Sequence, residues 1–584
     1  MDNYNFKFLT LKTEVIMVDL KAKPFYLKDE DVKWVKDTIS EMTVEEKIGQ
    51  LFITRIHGDL DNPENTEIVK KYHVGGIRYA SKSSKEVYNF IKDMQAASKI
   101  PLLAAANCDN GGDGASTDGT FIASGAMTEA SESEEVAYNA GLVSGREEAA
   151  LGVNWNFDPS VDILYNWRNT IVNTRAYGNT PEKVIKYTSA YLEGLKDSEV
   201  GEIATCVKHF PGDGVEERDQ HLVLGINDFN PEKWDNTFGK VYKHHIDKGL
   251  MSIMAGHIAM PEYQKQLNPE LTEQEIMPAT LAPELLNDLL RDKLGFNGLI
   301  VTDASHMLGM TAAMPRKDYV PKAIAAGCDM FLFFNDKEED FQFMLDGYKN
   351  GEITEERLNE ALERILGLKA AISLHQRAEK DGLMPVEEKL DIIGQNEHLE
   401  MAAEAADKGI TLVKDSLDQL PITPETHPRI KLYYLYGEQG GIYNSDTSSR
   451  DRIIEELEKV GFKVDLNDGD GREKGKIMEY RDKYDAALVF ADVRGYAQQN
   501  NYRIQWKAPM ADEVPWYAAE IPTVFVSLNY TNHYIDVPMV KTFINAHGNT
   551  GEVIKQTIEK IMGKSDFKGS YNENVWCDTW EARR

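Results

Sequence analysis

The sequence predicts an α/β protein, a TIM-like (β/α)8 barrel followed by an α/β sandwich domain. Apolar segments of strand length alternate with segments of helical length over about 330 residues, which indicates a parallel sheet covered by helices. Nearly every apolar segment also runs into polar or charged side chains, and active sites of parallel α/β folds lie at the carboxyl ends of the strands. A closed barrel fits this length better than an open sheet.

The chain has 584 residues, of which 42% are hydrophobic and 28% charged, values typical of a globular protein. This length exceeds one ordinary hydrophobic core, so we expect about two or three structural units. We expect an N-terminal extension over 1–30, the barrel over 31–378 and a linker over 379–397. The sandwich domain, with a C-terminal tail, then occupies 398–584.

Charge and targeting signals restrict the partners and the location. The net charge of −31 disfavours nucleic acids and anionic membranes, because the summed field repels polyanions. No apolar run approaches the roughly 20 residues that span a bilayer, and we find no pattern of a signal peptide at the N-terminus. The four cysteines are far apart and show no CxxC spacing, so we expect reduced thiols in a cytoplasmic protein. The oligomeric state stays open.

The candidate barrel strands are near-continuously apolar, as expected where helices cover the sheet. They are GGIRY from Gly75, PLLAAAN from Pro101, VNWNFDPSVDI from Val153, EIATCVKHF from Glu202, MSIMAGHIAM from Met251, GLIVTDA from Gly298 and CDMFLFF from Cys328. One intervening helical pattern, SESEEVAYNAGLVSGREEAALG, begins with Ser131 followed three residues later by Glu134, which predicts a capping box. The polar groups at the strand ends are Asn107, Asp109, Asp158, Asp162, Lys208, His209, His257 and Asp303.

A second α/β unit is predicted to begin near His398. Its candidate strands are ITLVKD, IKLYYLY, DAALVFA and PTVFVSL, and the helix DRIIEELEKVG separates two of them. Neither a GxGxxG after a strand nor a P-loop is present, so this unit carries no nucleotide signature and we predict no cofactor. The last residues, Ser565 to Arg584, are expected to be irregular.

The segment from Ala204 to Gly225, ATCVKHFPGDGVEERDQHLVLG, places Asp219 two residues before His221. On an extended backbone this spacing puts both side chains on one face. A carboxylate beside an imidazole fixes the ring tautomer and raises its basicity, which suits a general acid/base pair. A solvated loop in which the two residues have no joint role is an equal alternative on spacing alone.

The second segment, GFNGLIVTDASHMLGM, ends an apolar strand with Asp303. A carboxylate at a strand end is partly desolvated and can act as a nucleophile towards carbon when ionised. An aspartate that caps the following helix is an alternative that the spacing does not exclude.

Taken together, KHFPGDG with DQH, VTDASHM, NFDPSVDI and NTRAYG resemble glycoside hydrolase family 3, and most closely its β-N-acetylglucosaminidase branch. EMTVEEKIGQLF and AADKGITLVKDSLDQLPI extend the resemblance over nearly the whole chain. It implies an enzyme that removes terminal β-linked N-acetylhexosamine by a retaining mechanism, through a covalent glycosyl-enzyme. A carbohydrate is then the expected partner.

The resemblance also implies roles for individual residues. Asp303 matches the catalytic nucleophile, His221 the acid/base and Asp219 the carboxylate that orients it. Sugar-hydroxyl ligands are implied at Lys208, His209 and Arg175.

The chain departs from the family pattern after its third strand, in PLLAAANCDNGGDGASTDG. Asn107 stands where an aspartate is usual, Asp109 lies two residues on, and no arginine follows nearby. An amide is a weaker acceptor for sugar hydroxyls than a carboxylate. Either Asp109 takes over the sugar contact or the sugar differs. Asp213 also stands where the KHFPGHG pattern has histidine.

Four alternatives stay open. A β-glucosidase of the same family would take a glutamate from the second domain, leaving His221 incidental. Phosphorolysis could run on the same residues, because a neutral imidazole repels phosphate less than a second carboxylate would. A catalytically inactive carbohydrate-binding protein is a third. A metal-dependent hydrolase using His209, His221 and His257 is a fourth, although no HxH or HExxH spacing supports a metal site.

Overall fold

The computed structural model describes residues 18–380, 382–436, 448–467, 476–493, 501–504, 506 and 518–580. Its largest sheet has eight strands in the order β4-β3-β2-β1-β10-β9-β7-β5, each parallel to its neighbours. Parallel bridges from Trp155 to Ala204 and from Ser160 to Lys208 join the two outer strands. Neighbours in the sheet are therefore consecutive strands of the chain, and the barrel predicted from the sequence is confirmed.

The barrel strands are β1 Phe52–Ile56, β2 Gly76–Tyr79, β3 Leu103–Ala106, β4 Trp155–Asn156, β5 Cys206–Phe210, β7 Ser252–Ala255, β9 Leu299–Ala304 and β10 Met330–Leu332. A separate parallel pair, β6 Gly225–Ile226 and β8 Ile258–Ala259, lies beside them. The strand β1 was not predicted, because Thr54 and Arg55 interrupt its apolar run.

Helices separate consecutive barrel strands, as the alternating pattern predicted. They are α1 Asp29–Glu41, α2 Val44–Gln50, α3 Glu64–Tyr72, α4 Ser84–Ala97, α5 Gly125–Ser131, α6 Glu134–Leu151, α7 Pro181–Lys196, α8 Pro231–Asp235, α9 Phe238–Asp247, α10 Pro261–Leu267, a π-helix Glu284–Lys293, α11 Leu308–Thr311, α12 Arg316–Ala326, α13 Lys337–Lys349, α14 Glu355–Ala371 and α15 Leu374–Glu379. Short 3₁₀ helices occupy Gly112–Gly114, Asn173–Arg175, Glu273–Glu275, Ala279–Leu281 and Glu387–Ile392.

The capping box predicted at Ser131 is wrong. Ser131 is the last residue of α5, and α6 begins at Glu134 with Ser133 at its N-cap. The Ser131 hydroxyl instead donates to Thr128 O and accepts from Ser133 N, so it stabilises the turn between the two helices. The prediction failed because the short helix α5 precedes α6, so the N-terminus of α6 lies two residues later than the spacing indicated.

A second sheet has six strands in the order β11-β16-β15-β14-β12-β13, parallel except for β11. The strands are β11 Thr411–Asp415, β12 Arg429–Tyr436, β13 Lys463–Leu466, β14 Ala486–Asp492, β15 Thr523–Ser527 and β16 Thr542–Asn545. The helices of this unit are α16 Asn396–Gly409, α17 Ser448–Lys459, α18 Ile477–Lys483 and α19 Gly551–Ile561. Short 3₁₀ helices occupy His533–Asp536 and Glu573–Trp576. Leu488 packs with α17 and α19, while the next residue, Val489, packs with α18. Both faces of the sheet are therefore covered, which confirms the predicted α/β sandwich.

Direct hydrogen bonds join the sandwich to the barrel. Asn173 Nδ2 donates to Asn532 Oδ1 over 3.0 Å, and Ser124 Oγ donates to His547 O over 3.0 Å. Trp167 Nε1 reaches Asp578 Oδ2 in the C-terminal segment over 3.0 Å. The second sheet is thereby held beside the 3₁₀ helix that follows β4.

The base of the barrel, at the amino ends of the strands, buries a charge network. Asp329, directly before β10, is fully buried and accepts from Arg291 Nη2 (2.7 Å), Arg357 Nη2 (2.5 Å) and Ile300 N (2.8 Å). Glu360 pairs with Arg357 over 2.7 Å and with Arg364 over 2.5 Å. Helix α14 and the π-helix are thus fixed to the strand ends.

No helix in the described ranges is long and apolar enough to cross a membrane. All four cysteines are buried and unbridged.

Candidate active site

Asp303 lies in β9, one residue before the carboxyl end of that strand, and is 8% exposed. One carboxylate oxygen accepts from Ala304 N over 2.7 Å, and the other lies 3.9 Å from His209 Nε2. Burial alone would raise the pKa of Asp303, but His209, His257 and His221 outweigh it and lower that pKa below its ordinary value. Asp303 is therefore an anion at neutral pH, as a carboxylate nucleophile must be.

His209 is oriented towards Asp303 by Asp162. Its Nδ1 lies 2.7 Å from Asp162 Oδ2, and its backbone N donates to Oδ1 over 3.2 Å. Asp162 also accepts from Asp213 N over 2.7 Å and from Ser160 Oγ over 2.9 Å. Burial opposes ionisation of Asp162, but His209 and these donors lower its pKa, so the carboxylate is charged and fixes the ring.

Asp219 and His221 form the pair that their spacing predicted. His221 Nδ1 lies 2.7 Å from Asp219 Oδ1, and the same oxygen accepts His221 N over 2.8 Å. The Asp219 side chain is fully buried, whereas that of His221 is 16% exposed. Because Nδ1 is bound to the carboxylate, proton exchange with a substrate would run through Nε2. The pair has the geometry of an oriented general acid/base.

The loop that carries His221 is bonded to the loop that follows Asp303. Leu308 N donates to His221 O over 3.0 Å, and Gly309 N donates to Gln220 O over 3.1 Å. A Cβ on Gly309 would lie 2.8 Å from that Gln220 oxygen, so this approach requires glycine. The two loops therefore hold Asp303 and His221 in a fixed relation.

His257 completes this connection from the end of β7. Its backbone N donates to Gln220 Oε1 over 2.7 Å, and its Nε2 lies 3.0 Å from Ala304 O. Its Nδ1 lies 3.0 Å from Thr280 Oγ1. Burial lowers the pKa of His257, and the hydrogen bonds of its ring and backbone position the two loops. Gln220 and Thr280 were not singled out from the sequence, because an amide or hydroxyl in a loop carries no spacing signal.

A second group of charged side chains lies at the mouth of the barrel. Asp109 Oδ2 accepts from Arg175 Nε over 3.1 Å, and its other oxygen lies 3.9 Å from Lys208 Nζ. Lys208, which is 1% exposed, reaches Asp158 Oδ1 over 2.5 Å. These two carboxylates and two cations come from the ends of β3, β4 and β5 and from the 3₁₀ helix Asn173–Arg175.

The two carboxylates of this group differ in protonation. Burial would raise the pKa of Asp109, but the Arg175 and Lys208 charges lower it below its ordinary value. Burial, followed by the charge of Asp109, raises the pKa of Asp158 to about 7. Asp109 is thus the charged acceptor of the pair, suited to sugar hydroxyls.

Asn107 forms no hydrogen bond within this group. Its side chain is partly buried and makes no hydrogen bond to another described residue, whereas Asp109 contacts both cations. Asp109 therefore meets Arg175 and Lys208, and a sugar contact by Asn107 stays a prediction.

Asp213, the other departure from the family pattern, supports the loop internally. It is buried, accepts from Asn169 Nδ2 over 2.9 Å and from Gly214 N over 2.6 Å, and donates its own N to Asp162. Burial and the charge of Asp162 raise the pKa of Asp213.

The histidines proposed as metal ligands point to different partners. His209 pairs with Asp162, His221 with Asp219, and His257 with Thr280. Within the described ranges, no group of three or more His, Cys, Asp or Glu side chains is arranged to hold a metal ion.

The outer mouth carries three basic side chains that the sequence did not single out. Arg55 ends β1 together with Ile56, His57 follows directly, and His306 follows β9. His57 and His306 are exposed. Partial burial, and then the charge of Arg55, lowers the pKa of both histidines. Tyr502, in the irregular segment 501–504 that follows β14, approaches closely enough for the charge of Asp219 to add to the effect of burial in raising the pKa of this tyrosine.

Comparison with known proteins places these features in context. The model of the glycosyl hydrolase family 3 N-terminal domain matches residues 43–368. A β-N-acetylglucosaminidase/β-glucosidase of Cellulomonas fimi is 37% identical over 571 residues, covering 97% of this chain and 100% of the relative. A β-hexosaminidase A of Pseudoalteromonas piscicida is 26% identical over 60% of this chain and 61% of its own length.

Two solved structures are also similar to this chain. The structure titled β-glucoside phosphorylase BglX superposes with a TM-score of 0.89 at 36% identity and covers 97% of this chain and 99% of its own. The family 3 β-N-acetylglucosaminidase of Paenibacillus sp. str. FPU-7 superposes with a TM-score of 0.76 at 23% identity, over 91% of this chain and 98% of its own, and shares the fold.

Proposed function

The chain belongs to glycosyl hydrolase family 3, and we propose that it removes terminal β-linked N-acetylhexosamine through a covalent glycosyl-enzyme on Asp303. It is a glycosidase that acts on β-glycosides; the sugar and the retaining mechanism are what we propose. One observation carries the proposal: an ionised Asp303 and the Asp219–His221 pair lie on two loops that are hydrogen-bonded to each other.

In the proposed first step, His221 acts as the acid and Asp303 as the nucleophile. His221 gives the proton on Nε2 to the glycosidic oxygen, the bond from that oxygen to the anomeric carbon breaks, and Asp303 forms an ester with the anomeric carbon. In the second step His221 removes a proton from water, the water oxygen attacks the anomeric carbon, and Asp303 leaves as a carboxylate. Asp219 stabilises the imidazolium that donates the proton in the first step and forms again in the second.

Asp109, Arg175, Lys208 and His209 would bind the hydroxyls of the sugar whose bond is cleaved. Their arrangement supports recognition of a neutral sugar, because the Asp109 carboxylate lies 3.1 Å from Arg175 Nε and 3.9 Å from Lys208 Nζ, so that donors and an acceptor for hydroxyls stand side by side. The relative from Cellulomonas fimi is named for both a β-N-acetylglucosaminidase and a β-glucosidase, so glucose is the second sugar to test.

Phosphorolysis on the same residues is a second candidate. Arg55, at the end of β1, carries a positive charge that would attract a phosphate dianion to the mouth of the barrel. A histidine acid/base also repels such an acceptor less than a carboxylate would. The 36%-identical structure titled as a β-glucoside phosphorylase favours the same outcome.

A panel of nitrophenyl glycosides separates these candidates. We expect turnover of nitrophenyl β-N-acetylglucosaminide by the wild type, and a fall of about 10²–10⁴-fold in kcat/KM for His221→Ala. Adding inorganic phosphate distinguishes the acceptors, since phosphorolysis yields a sugar 1-phosphate and hydrolysis yields the free sugar.

Full activity of His221→Ala on both the N-acetylglucosaminide and the glucoside would contradict the acid/base assignment and favour a glutamate of the second domain. Sugar binding without turnover of any glycoside would support the inactive carbohydrate-binding alternative.

A further inference from the structure

Glu148 is a buried carboxyl that one asparagine separates from Asp158. It stands in the last turn of α6 and is fully buried. Its Oε2 accepts from Asn156 Nδ2 over 2.8 Å, while Oε1 has no hydrogen-bond partner among the described residues. The steps proposed for glycoside cleavage do not use Glu148. A charged carboxylate with so few donors would be costly to bury.

The surroundings of Glu148 favour its neutral acid form. Burial raises the pKa of Glu148 to about 8, although Asn156 and Cys108 partly offset the effect of burial. Glu148 is therefore protonated at neutral pH, and because Oε2 accepts from Asn156, the proton stands on Oε1. In this form the side chain resembles that of glutamine, with an accepting oxygen and a donor at the other position.

Asn156 carries the contact from Glu148 to Asp158. It lies in β4 and is fully buried. Its Nδ2 donates to Glu148 Oε2 and, over 3.2 Å, to Tyr191 Oη. Its Oδ1 accepts from Asp158 N over 2.7 Å. Both amide protons and the amide oxygen are thus engaged, so these neighbours fix the orientation of the amide.

A second branch of the network reaches the same aspartate. Tyr191 Oη, in α7, donates to Cys108 O over 2.7 Å, and Cys108 N donates to Asp158 Oδ2. The backbone N of Asp158 is therefore held through Asn156, and its carboxyl is held through Cys108. Tyr191 contacts both branches, so the network closes on itself.

The position of Asp158 matters because this residue holds Lys208. Lys208 Nζ lies 2.5 Å from Asp158 Oδ1 and 3.9 Å from Asp109 Oδ1. A displacement of Asp158 would therefore move the ammonium group that we propose as a ligand of sugar hydroxyls. Small errors in the position of such a group weaken its hydrogen bonds to the substrate.

We propose that Glu148 is a positioning residue for the sugar site, because it holds Asn156 and Asn156 holds Asp158 against Lys208. Glu148 acts as a neutral hydrogen-bond acceptor and does not touch the sugar. The inference rests on the proposed role of Lys208 in sugar binding. Position 148 then requires an acceptor for the Asn156 amide, and it does not require a charge.

The variants Glu148→Met and Glu148→Gln separate the acceptor from the charge. Methionine fills a similar space but offers no comparable acceptor, so KM for a nitrophenyl β-glycoside should rise by about 5–100-fold, with a smaller change in kcat. Glutamine keeps a neutral acceptor and should restore the KM of the wild type. In crystals, Asp158 and Lys208 should be displaced in Glu148→Met and should keep their positions in Glu148→Gln.

The matched control is Glu284→Met. Glu284 is 8% exposed and also accepts from a buried amide, Gln264 Nε2, over 2.7 Å. The Gln264 amide otherwise bonds to the backbone of Met260 and Met277, which lie outside the proposed site. This variant should therefore lose stability and keep the KM of the wild type, as expected where a buried glutamate has only a structural role.

Tyr191→Phe tests the same network with a smaller change. It keeps the ring and removes the other partner of the Asn156 amide, so it should raise KM by about 2–10-fold, and it decides the question where Glu148→Met does not fold. An unchanged KM in that case would overturn the proposal.

The proposal is also overturned if folded Glu148→Met keeps the KM of the wild type, if Glu148→Gln is impaired as strongly, or if Glu284→Met raises KM equally. If the wild type turns over no β-glycoside, the proposed function fails by itself. Calorimetric binding of glucose and N-acetylglucosamine to these variants, with the crystal positions of Asp158 and Lys208, then decides the inference.

Discussion

The two ends of the barrel bury charged side chains for different purposes. At the base, Asp329 and Glu360 lie among Arg291, Arg357 and Arg364, and the carboxylate oxygens of Asp329 accept from all three guanidinium groups and from a backbone N–H. At the mouth, Asp303 accepts one hydrogen bond from the residues that the structure describes, from the adjacent Ala304 N, and its second oxygen is 3.9 Å from His209 Nε2.

The difference lies in what satisfies each carboxylate. The base network is closed by its own protein donors, so breaking it leaves buried charges without partners. At the mouth, the ionised carboxylate of Asp303 has few hydrogen-bond donors around it, so its oxygen is able to form a bond to substrate. In barrel enzymes the carboxyl ends of the strands carry catalysis and the amino ends carry stability, and these two carboxylates follow that division.

The largest expected effect is that of Asp303→Asn on turnover. The amide cannot form the glycosyl ester, so we expect kcat to fall by about 10⁴–10⁶-fold. The lowered pKa of Asp303 means that the folded chain stabilises its ionised form, so loss of the charge should lower the free energy of unfolding slightly. The predicted effects on kcat and on stability are checked by measuring turnover of a nitrophenyl glycoside and thermal unfolding on the same preparation. A variant that kept more than a hundredth of the wild-type kcat would not fit a nucleophile.

Asp329→Asn is the counterpart at the base. It should lower the free energy of unfolding by about 3–5 kcal/mol, because Arg291 and Arg357 lose their buried anion. The folded fraction should keep kcat/KM within a few-fold of the wild type, since this residue lies at the opposite end of the barrel. Thermal unfolding measures the loss of stability, and an assay at a temperature where the variant stays folded measures kcat/KM. Normal stability with lost activity would reverse the roles that we assign to the two ends.

A smaller effect separates the two candidate residues of the altered loop. Asp109→Asn removes a charged acceptor and should lower kcat/KM by about 10–100-fold, the range for one hydrogen bond to a charged group. Asn107→Asp, the matched change in the opposite direction, should alter kcat/KM by only a few-fold. If Asn107→Asp raised activity strongly while Asp109→Asn had no effect, Asn107 would be the sugar contact instead.

The smallest effect is a shift of the pH profile. The pKa of Asp303 is below its ordinary value because nearby histidines outweigh the effect of burial, and His209 makes the largest of these contributions. The nucleophile must be deprotonated, so activity falls as the pH drops through this pKa. His209→Gln should raise the pKa and move the acid limb of kcat/KM to higher pH, while His245→Gln, a buried histidine bonded to Thr188, should not. An unchanged or lower acid limb in His209→Gln would contradict this coupling.

Much of the fold could be predicted because its signals are local. Apolar runs such as GLIVTDA and CDMFLFF lie in β9 and β10, and their polar ends lie together at the mouth. Strand β1 was missed because Arg55 interrupts its pattern, and the edge strand β13 because its residues are at most half buried.

The candidate site was predictable only in part. The spacing of Asp219 and His221 places them on one face, and the structure brings them into contact, but spacing could not place that pair beside Asp303. The contact that does so runs through Gln220 and Gly309, residues about ninety positions apart in the sequence whose side chains carry no chemical pattern of their own. The same limit applies to Asn107 and Asp109, since the backbone between them decides which side chain meets Arg175.

The central claim is that Asp303 forms a covalent bond to the sugar. A 2-fluoro glycoside with a good leaving group slows hydrolysis of such an ester enough for the labelled enzyme to be digested and its peptides analysed by mass spectrometry. We predict one added glycosyl group per chain on the peptide that contains Asp303, and none in Asp303→Asn. A label on another carboxylate, or full turnover with no label, would contradict the account.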